Sequence, residues 1–265
     1  MSTRSRLSGG SLLCLALAIG ASGCSSAKPA AAPAPVPSPT VSAAPSASPS
    51  TSASASNAAL SADQLRDQSL RDLLSPGTVT VDLNSGAAGK SLTSHVAYDM
   101  GAGNILGTIT PEGEGSFGLV RHGATAWVKP DTTFWQVLGG KDGALAAQKF
   151  DGHYLSGRSD DNEFQSLVKA FALDSVIQQY ISVDDHATLG APTTVDGQQA
   201  LTLTLDHVGT PTTILVAAEG KPHPLKLTHG TDTLSFHDYG TPVVVQEPSA
   251  DQVVSLDDVR KLGAA

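Results

Sequence analysis

Between Val79 and Val245 the apolar residues change their period twice, and this change most constrains the fold. Val79, Val81 and Leu83 alternate with polar neighbours, and Val96, Tyr98 and Met100 do the same. Ile105 to Thr110, Ser116 to Arg121 and Thr125 to Lys129 continue as short strands between glycine-rich breaks. Such alternation marks half-buried strands of an antiparallel meander. The middle of the chain then takes a helical period. Pro130-Asp131 opens a short helix carrying Phe134, Trp135 and Leu138. Ser159 stands as the cap of a second helix, from Asp160 to Leu173. Its Phe164, Leu167, Val168 and Phe171 follow the i, i+3, i+4, i+7 rule of a buried stripe. A third helix carries Val176, Ile177, Tyr180 and Ile181. Period two returns with Leu201, Leu203 and Leu205, then Ile214 to Ala218, Leu225 and Leu227, Leu234 and Phe236, and a last strand over Val243 to Val245.

Strands, then helices, then strands is the α+β order. The simplest arrangement is one long antiparallel sheet with the central helices over one face. A sheet of this size curls, which predicts a strongly curved sheet or incomplete β-barrel. Ahead of it, Ser61 and Gln64 form a capping box for a first helix, with Leu70, Leu73 and Leu74 on one face and Ser75-Pro76-Gly77 as its stop.

The first 58 residues follow different rules. Arg4 and Arg6 precede an apolar stretch containing Leu12, Leu13, Leu15, Leu17 and Ile19, too short to span a bilayer. Ala21, Ser22 and Gly23 lead into Cys24, a run that resembles the bacterial lipobox. Residues 1–23 are accordingly expected to be a signal peptide and Cys24 the site of lipid attachment. Bulky Leu12 and Leu13 before Cys14 argue against that cysteine. Residues 25–58 are nearly all Ala, Pro, Ser and Thr, which cannot bury enough surface to repay ordering and are expected to form a disordered tether. The folded domain is then 59–265.

With Cys14 removed, Cys24 is the only thiol left of the two in the chain. The domain has no disulfide, no thiolate metal cluster and no cysteine nucleophile, so its core alone must hold it together. The formal charge of −9 makes nucleic acid and anionic headgroups poor partners. Membrane contact falls to the lipid on Cys24, on the outer face of the cell membrane.

Other chemistries find no support. Gly113-Glu114-Gly115-Ser116-Phe117-Gly118 has the letters of a dinucleotide fingerprint, but a strand follows where the pyrophosphate needs a helix N-terminus. The eight histidines lack the short spacings of a metal site, and His237-Asp238 reads as a surface or turn pair. The expectation is no catalytic constellation, no metal and no cofactor, so not an enzyme.

Several segments carry a family resemblance. They are Ala126-Trp127-Val128-Lys129-Pro130 before Phe134-Trp135, Thr194-Val195-Asp196-Gly197, and Val216-Ala217-Ala218-Glu219-Gly220 with Pro224-Leu225-Lys226-Leu227. Leu234 to Gly240 with Pro242-Val243-Val244-Val245 completes them. The chain resembles actinobacterial lipoproteins of the LppX/LprG type, within the LolA-like set of lipid and lipoprotein carriers. The resemblance implies helices over the concave face of the curved sheet, with acyl chains taken between them.

That implication gives the leading expectation: an envelope lipoprotein that binds, and in transfer hands on, an apolar small molecule or lipid. Candidates for the cavity lining are Phe117, Leu119, Phe134, Trp135, Leu138, Phe164, Leu167, Val168, Phe171, Ile177 and Tyr180. The same residues equally fit a filled core, and a closed module that engages a cell-envelope protein is the alternative.

The anchor is directly testable. Cys24→Ser is expected to release the protein into the medium or leave an uncut precursor, because the lipid supplies the stable membrane binding. Unchanged fractionation and gel mobility of the variant would reject Cys24 as the lipidated residue.

Overall fold

The computed structural model describes residues 56–264, apart from 76, 87–89, 159, 183 and 208. The signal peptide, Cys24, nearly all of the tether, Pro76 and Ser159 lie outside the described residues. The chain joins the sheet at Ser56, which bridges to Glu219. Asn57 is buried, with its side-chain amide donating to the Ala217 carbonyl at 2.9 Å. Helix α1 (Ala62–Leu73) follows, capped as its sequence predicts. The Ser61 hydroxyl accepts from the Gln64 N–H at 3.3 Å, and the Gln64 side chain accepts from the Ser61 N–H at 3.0 Å.

The strands form one open sheet. Its first half is the meander β1 (Thr78–Ser85), β2 (Leu92–Asp99), β3 (Asn104–Pro111), β4 (Phe117–His122) and β5 (Thr125–Pro130). Three helices follow with a short strand among them: α2 (Thr132–Leu138), α3 (Gly143–Phe150), β6 (Tyr154–Ser156) and α4 (Asn162–Lys169). Helix α5 (Leu173–Gln178) leads into β7 (Ala187–Leu189), β8 (Thr193–Val195), β9 (Gln198–His207), β10 (Thr210–Ala217), β11 (Pro224–His229) and β12 (Asp232–His237). The chain ends with β13 (Val253–Ser255) and α6 (Leu256–Arg260). The spatial order is β13-β6-β5-β4-β3-β2-β1-β12-β11-β10-β9-β7, with β8 pairing β9 off this path. The ends of this path do not meet, so the sheet is curved but not closed. The two meanders are joined where β1 pairs β12.

Register places the alternating apolar residues in rows across one face. Val128, Leu119, Gly107, Val96, Val81 and Phe236 are successive partners from β5 to β12. These side chains share one core with Leu65 and Leu73 of α1, Trp135 of α2, Phe150 of α3, Phe164 of α4 and Ile177 of α5. The helices therefore cover this face, as the α+β reading requires. Gly107 interrupts the row for a geometric reason. A Cβ there would lie 2.7 Å from the His95 carbonyl oxygen and 2.8 Å from the Val96 Cα. Glycine thus lets β2 and β3 approach closely here. At the tip of β8 and β9, Asp196 (φ 48°) and Gly197 (φ 83°) make the two-residue turn that hairpin twist favours.

Four expectations are corrected. The helix expected from Asp160 to Leu173 is shorter: α4 ends at Lys169, and Asp161 caps it, accepting from the Glu163 and Phe164 N–H groups. Tight turns at Phe171 and Ala172 then redirect the chain. This bend lets both Phe171 and Leu173 be buried, which one straight helical face cannot do. The next helix also stops early, at Gln178, leaving Tyr180 and Ile181 beyond it. Val243 to Val245 form no strand. That stretch belongs to the crossing from β12 to β13, tied by the Gly240 N–H to the Thr78 carbonyl and by His122 to Glu247. Finally, the sheet is not wholly antiparallel, because β13 runs parallel to β6.

Gly107→Val is expected to lower the unfolding free energy by at least about 1–3 kcal/mol, the usual cost of overpacking. Urea titration measures this, and an unchanged midpoint would contradict the close approach of β2 and β3.

Candidate functional site

A cavity of about 280 Å³ lies between the helix-covered face of the sheet and the segment that runs from the end of α4 through α5. Its floor comes from alternate residues of the first meander: Val81 and Leu83 of β1, Leu92, Val96 and Tyr98 of β2, Ile109 of β3 and Phe117 of β4. Ala170, Val176, Gln179 and Tyr180 form the roof. The polar residues of the lining are Ser94, Tyr98, Gln179 and Tyr180. An apolar hollow with a few polar groups is the usual chemistry of a small-molecule site. Burial raises the Tyr98 phenol above its ordinary value, so it stays protonated.

The stretch that carries the roof, from the start of α4 to Tyr180, is fastened at both ends. At the far end the Tyr180 hydroxyl donates to the buried Asp232 carboxylate at 3.1 Å. The Tyr180 carbonyl accepts from the Thr212 hydroxyl at 3.0 Å, and its ring meets the His229 ring edge-on at 5.8 Å. The other oxygen of Asp232 accepts from the Gly86 N–H at 3.2 Å. Burial, then the charge and hydrogen bond of Asp232, push the Tyr180 phenol up to about 12, so it remains a donor. At the near end, the Arg260 guanidinium of α6 grips the Asp161 cap at 2.6 and 3.1 Å and Glu163 at 2.9 Å. Those bonds hold the Asp161 carboxyl below its ordinary range. Between the two fastenings stand the small side chains of Ala170 and Ala172.

The structure distributes the candidate lining residues among four environments. Phe117 and Tyr180 line the cavity. Leu119, Trp135 and Phe171 are fully buried, and Phe134 packs on Phe117 with ring centroids 4.5 Å apart. Phe171 meets Phe117 edge-on at 5.6 Å, so these aromatics fill the space beside the cavity. Leu138 and Leu167 are half-buried against the same core. Phe164 and Val168 line a separate hollow of about 410 Å³ between α4 and the β4–β5 turn. Ile177 borders an open groove of about 600 Å³ between α1 and α5, with Leu70, Leu74 and Ile181. The larger part of the cavity wall comes from Val81, Leu83, Val96, Tyr98 and Val176, which alternation or helical spacing marks only as structural, and from Leu92, which the sequence reading does not single out.

Among the described residues one cluster of potential metal ligands occurs, Asp82, His95 and His237. It lies across the sheet from the cavity, since its members alternate with Val81, Val96 and Phe236. No helix among the described residues is long and apolar enough to cross a membrane.

No family model matches the chain, and no curated protein does. Solved structures are similar to it. A conserved protein of Thermus thermophilus aligns over 73% of this chain and 98% of its own, with 13% identity and a TM-score of 0.38. The MucA/MucB complex of Pseudomonas aeruginosa contains a chain that aligns over 72% of this one, at 12% identity and a TM-score of 0.35. This protein spans 59% of that chain's length. A putative outer membrane lipoprotein-sorting protein domain from Vibrio parahaemolyticus aligns over 68% of this chain and 93% of its own, at 12% identity and a TM-score of 0.20. At such values the functional reading rests on this chain's own geometry.

Tyr180→Phe is expected to destabilise the domain by about 1.5–3 kcal/mol, the range for a hydrogen bond to a charged group. Denaturant unfolding reads this directly. A change below about 0.5 kcal/mol would show that the roof does not depend on Asp232.

Proposed function

We propose that this chain is an extracytoplasmic lipoprotein, anchored through Cys24, that binds an apolar ligand beneath the α4–α5 roof. A binding role, not catalysis, is the reading. The observation that supports it is the apolar cavity under a roof fastened at its two ends. Its volume of about 280 Å³ sits at the lower edge of ligand sites, which run from about 300 to 1,000 Å³. It suits part of a single acyl chain or a compact apolar group, not the several chains of a whole lipid. Handing the ligand on to a membrane or a second carrier would complete a transfer function of the LppX/LprG kind.

The groove between α1 and α5 favours a second reading. Leu70 and the 40% exposed Leu74 present apolar surface there above the buried Ile177 and Ile181, rimmed by Asp67, Arg71, Asp174 and Gln178. Such a groove suits an envelope protein partner.

Binding of a fluorescent fatty acid to the parent protein and to Val176→Trp separates the readings. The tryptophan is expected to occupy the cavity, abolish probe binding and leave the melting temperature within a few degrees. A parent that binds no probe, or a variant that binds it as well as the parent, would remove the cavity as the site and leave the groove reading.

A further inference from the structure

The helix-free face of the sheet carries a second constellation, unrelated to the cavity. Asp82 of β1 is the direct cross-strand partner of His95 on β2. His237 on β12 pairs Thr80, one step along the same face of β1, and so reaches Asp82 diagonally. Residues 155 positions apart in sequence are thereby brought to one carboxylate. The His95 Nδ1 lies 2.6 Å from Asp82 Oδ1, and the His237 Nε2 lies 2.9 Å from Asp82 Oδ2. The two rings stand 6.3 Å apart and tilted at 32°, which leaves space between them.

A further contact distinguishes this group from a chance surface ion pair. The His237 Nδ1 is held by the Asp238 carboxylate at 2.9 Å. That bond places the Nδ1 proton toward Asp238, leaving Nε2 as the nitrogen turned to Asp82. Metal-binding histidines are oriented in this way, with the outer nitrogen donating to a carboxylate. Asp238 takes a left-handed backbone (φ 53°), uncommon for a residue other than glycine, where it meets the ring.

We propose that Asp82, His95 and His237 bind a zinc-class divalent transition-metal ion, with Asp238 as the positioning residue that orients His237. Their ligand atoms lie within 4.8 Å of one another. Around a tetrahedral ion with bonds of about 2.0–2.2 Å, ligand atoms stand roughly 3.4 Å apart. Closing on an ion therefore asks for movements of about an ångström from side chains that are part exposed. Two imidazoles and one carboxylate select zinc, cobalt, nickel or copper over calcium or magnesium, which take oxygen ligands. Three protein ligands leave one position for water or for a donor from a partner. The ion would join β12, β1 and β2, the strands at which the two meanders meet. The burial of these groups works against their charge. Even so, hydrogen bonds from both histidines hold the Asp82 carboxyl below its ordinary range, and bonds to Asp82 and Asp238 raise His237.

The test uses the full-length chain with Cys14 and Cys24 replaced by serine, so that no thiol competes. Zinc titration by calorimetry is expected to show one ion per chain. His95→Ala and His237→Ala are expected to weaken binding at least tenfold. Asp238→Asn is expected to weaken it about 10–100-fold, the range for loss of an outer-shell carboxylate. His122→Gln, at a histidine paired elsewhere with Glu247, is expected to leave it unchanged. Cobalt added to the unsubstituted ligand set is expected to give four-coordinate visible bands and to broaden the NMR signals of Asp82, His95 and His237. Affinity insensitive to all three substitutions, or paramagnetic broadening centred on other histidines, would overturn the assignment.

Discussion

The domain is governed by a sheet that does not close. From β13 to β7 the strands curve without meeting, so one apolar face must be hidden by something other than another strand. The helices supply that cover, and charged or hydrogen-bonded fastenings pin it to the sheet. The Arg260 grip on Asp161 holds the start of α4. The bonds of Tyr180 to Asp232 and Thr212 hold the far side of α5. At α1, the buried Arg66 is clasped by Asp63 and Asp67 and donates to the Asp185 carbonyl, beside the start of β7. Between the first two fastenings the chain turns at Ala170 to Ala172. Phe171 of this turn reaches the sheet and packs on Phe117, while the small side chain of Ala170 beside it borders the cavity.

Alternation made most of this sheet legible. Val79, Val81 and Leu83, or Leu201, Leu203 and Leu205, can hide on one face only as strands, and both runs are strands in register with apolar partners. The capping box of Ser61 and Gln64 was equally readable, because its chemistry is local. Failures came where tertiary burial overrode local pattern. Phe171 and Leu173 both reach the core only if the helix breaks between them. Val243 to Val245 have the composition of a strand but bridge from β12 to the far edge. Helix α3 carries no wide apolar stripe: Gly143, Ala146 and Ala147 are buried because their smallness lets α2 lie close. A Cβ on Gly143 would fall within 2.0 Å of the Gln136 carbonyl oxygen.

The sites were less readable than the fold for the same reason. A cavity is where packing fails, and no residue type announces that. The bulky residues of the middle helices mark the covered face, yet Trp135, Phe171 and Leu119 fill it, while Val81, Val96 and Val176 border the space left over. The Asp82, His95 and His237 group escaped notice because spacing along the chain says nothing of strands that pair across the two meanders. One sheet thus separates two chemistries: an apolar hollow under the helices and a nitrogen and oxygen ligand set on the face turned away.

Paramagnetic broadening of the amide spectrum by a fatty acid with a nitroxide on its chain tests the central claim most directly. If the ligand lies under the α4–α5 roof, the signals of Ser94, Tyr98, Val176 and Gln179 lose intensity first. Those of Asp196 and Gly197, at the β8–β9 turn and separated from β1 by three strands, persist. Broadening confined to Leu70, Leu74 and Ile181, or absent throughout at saturating probe, would contradict the account.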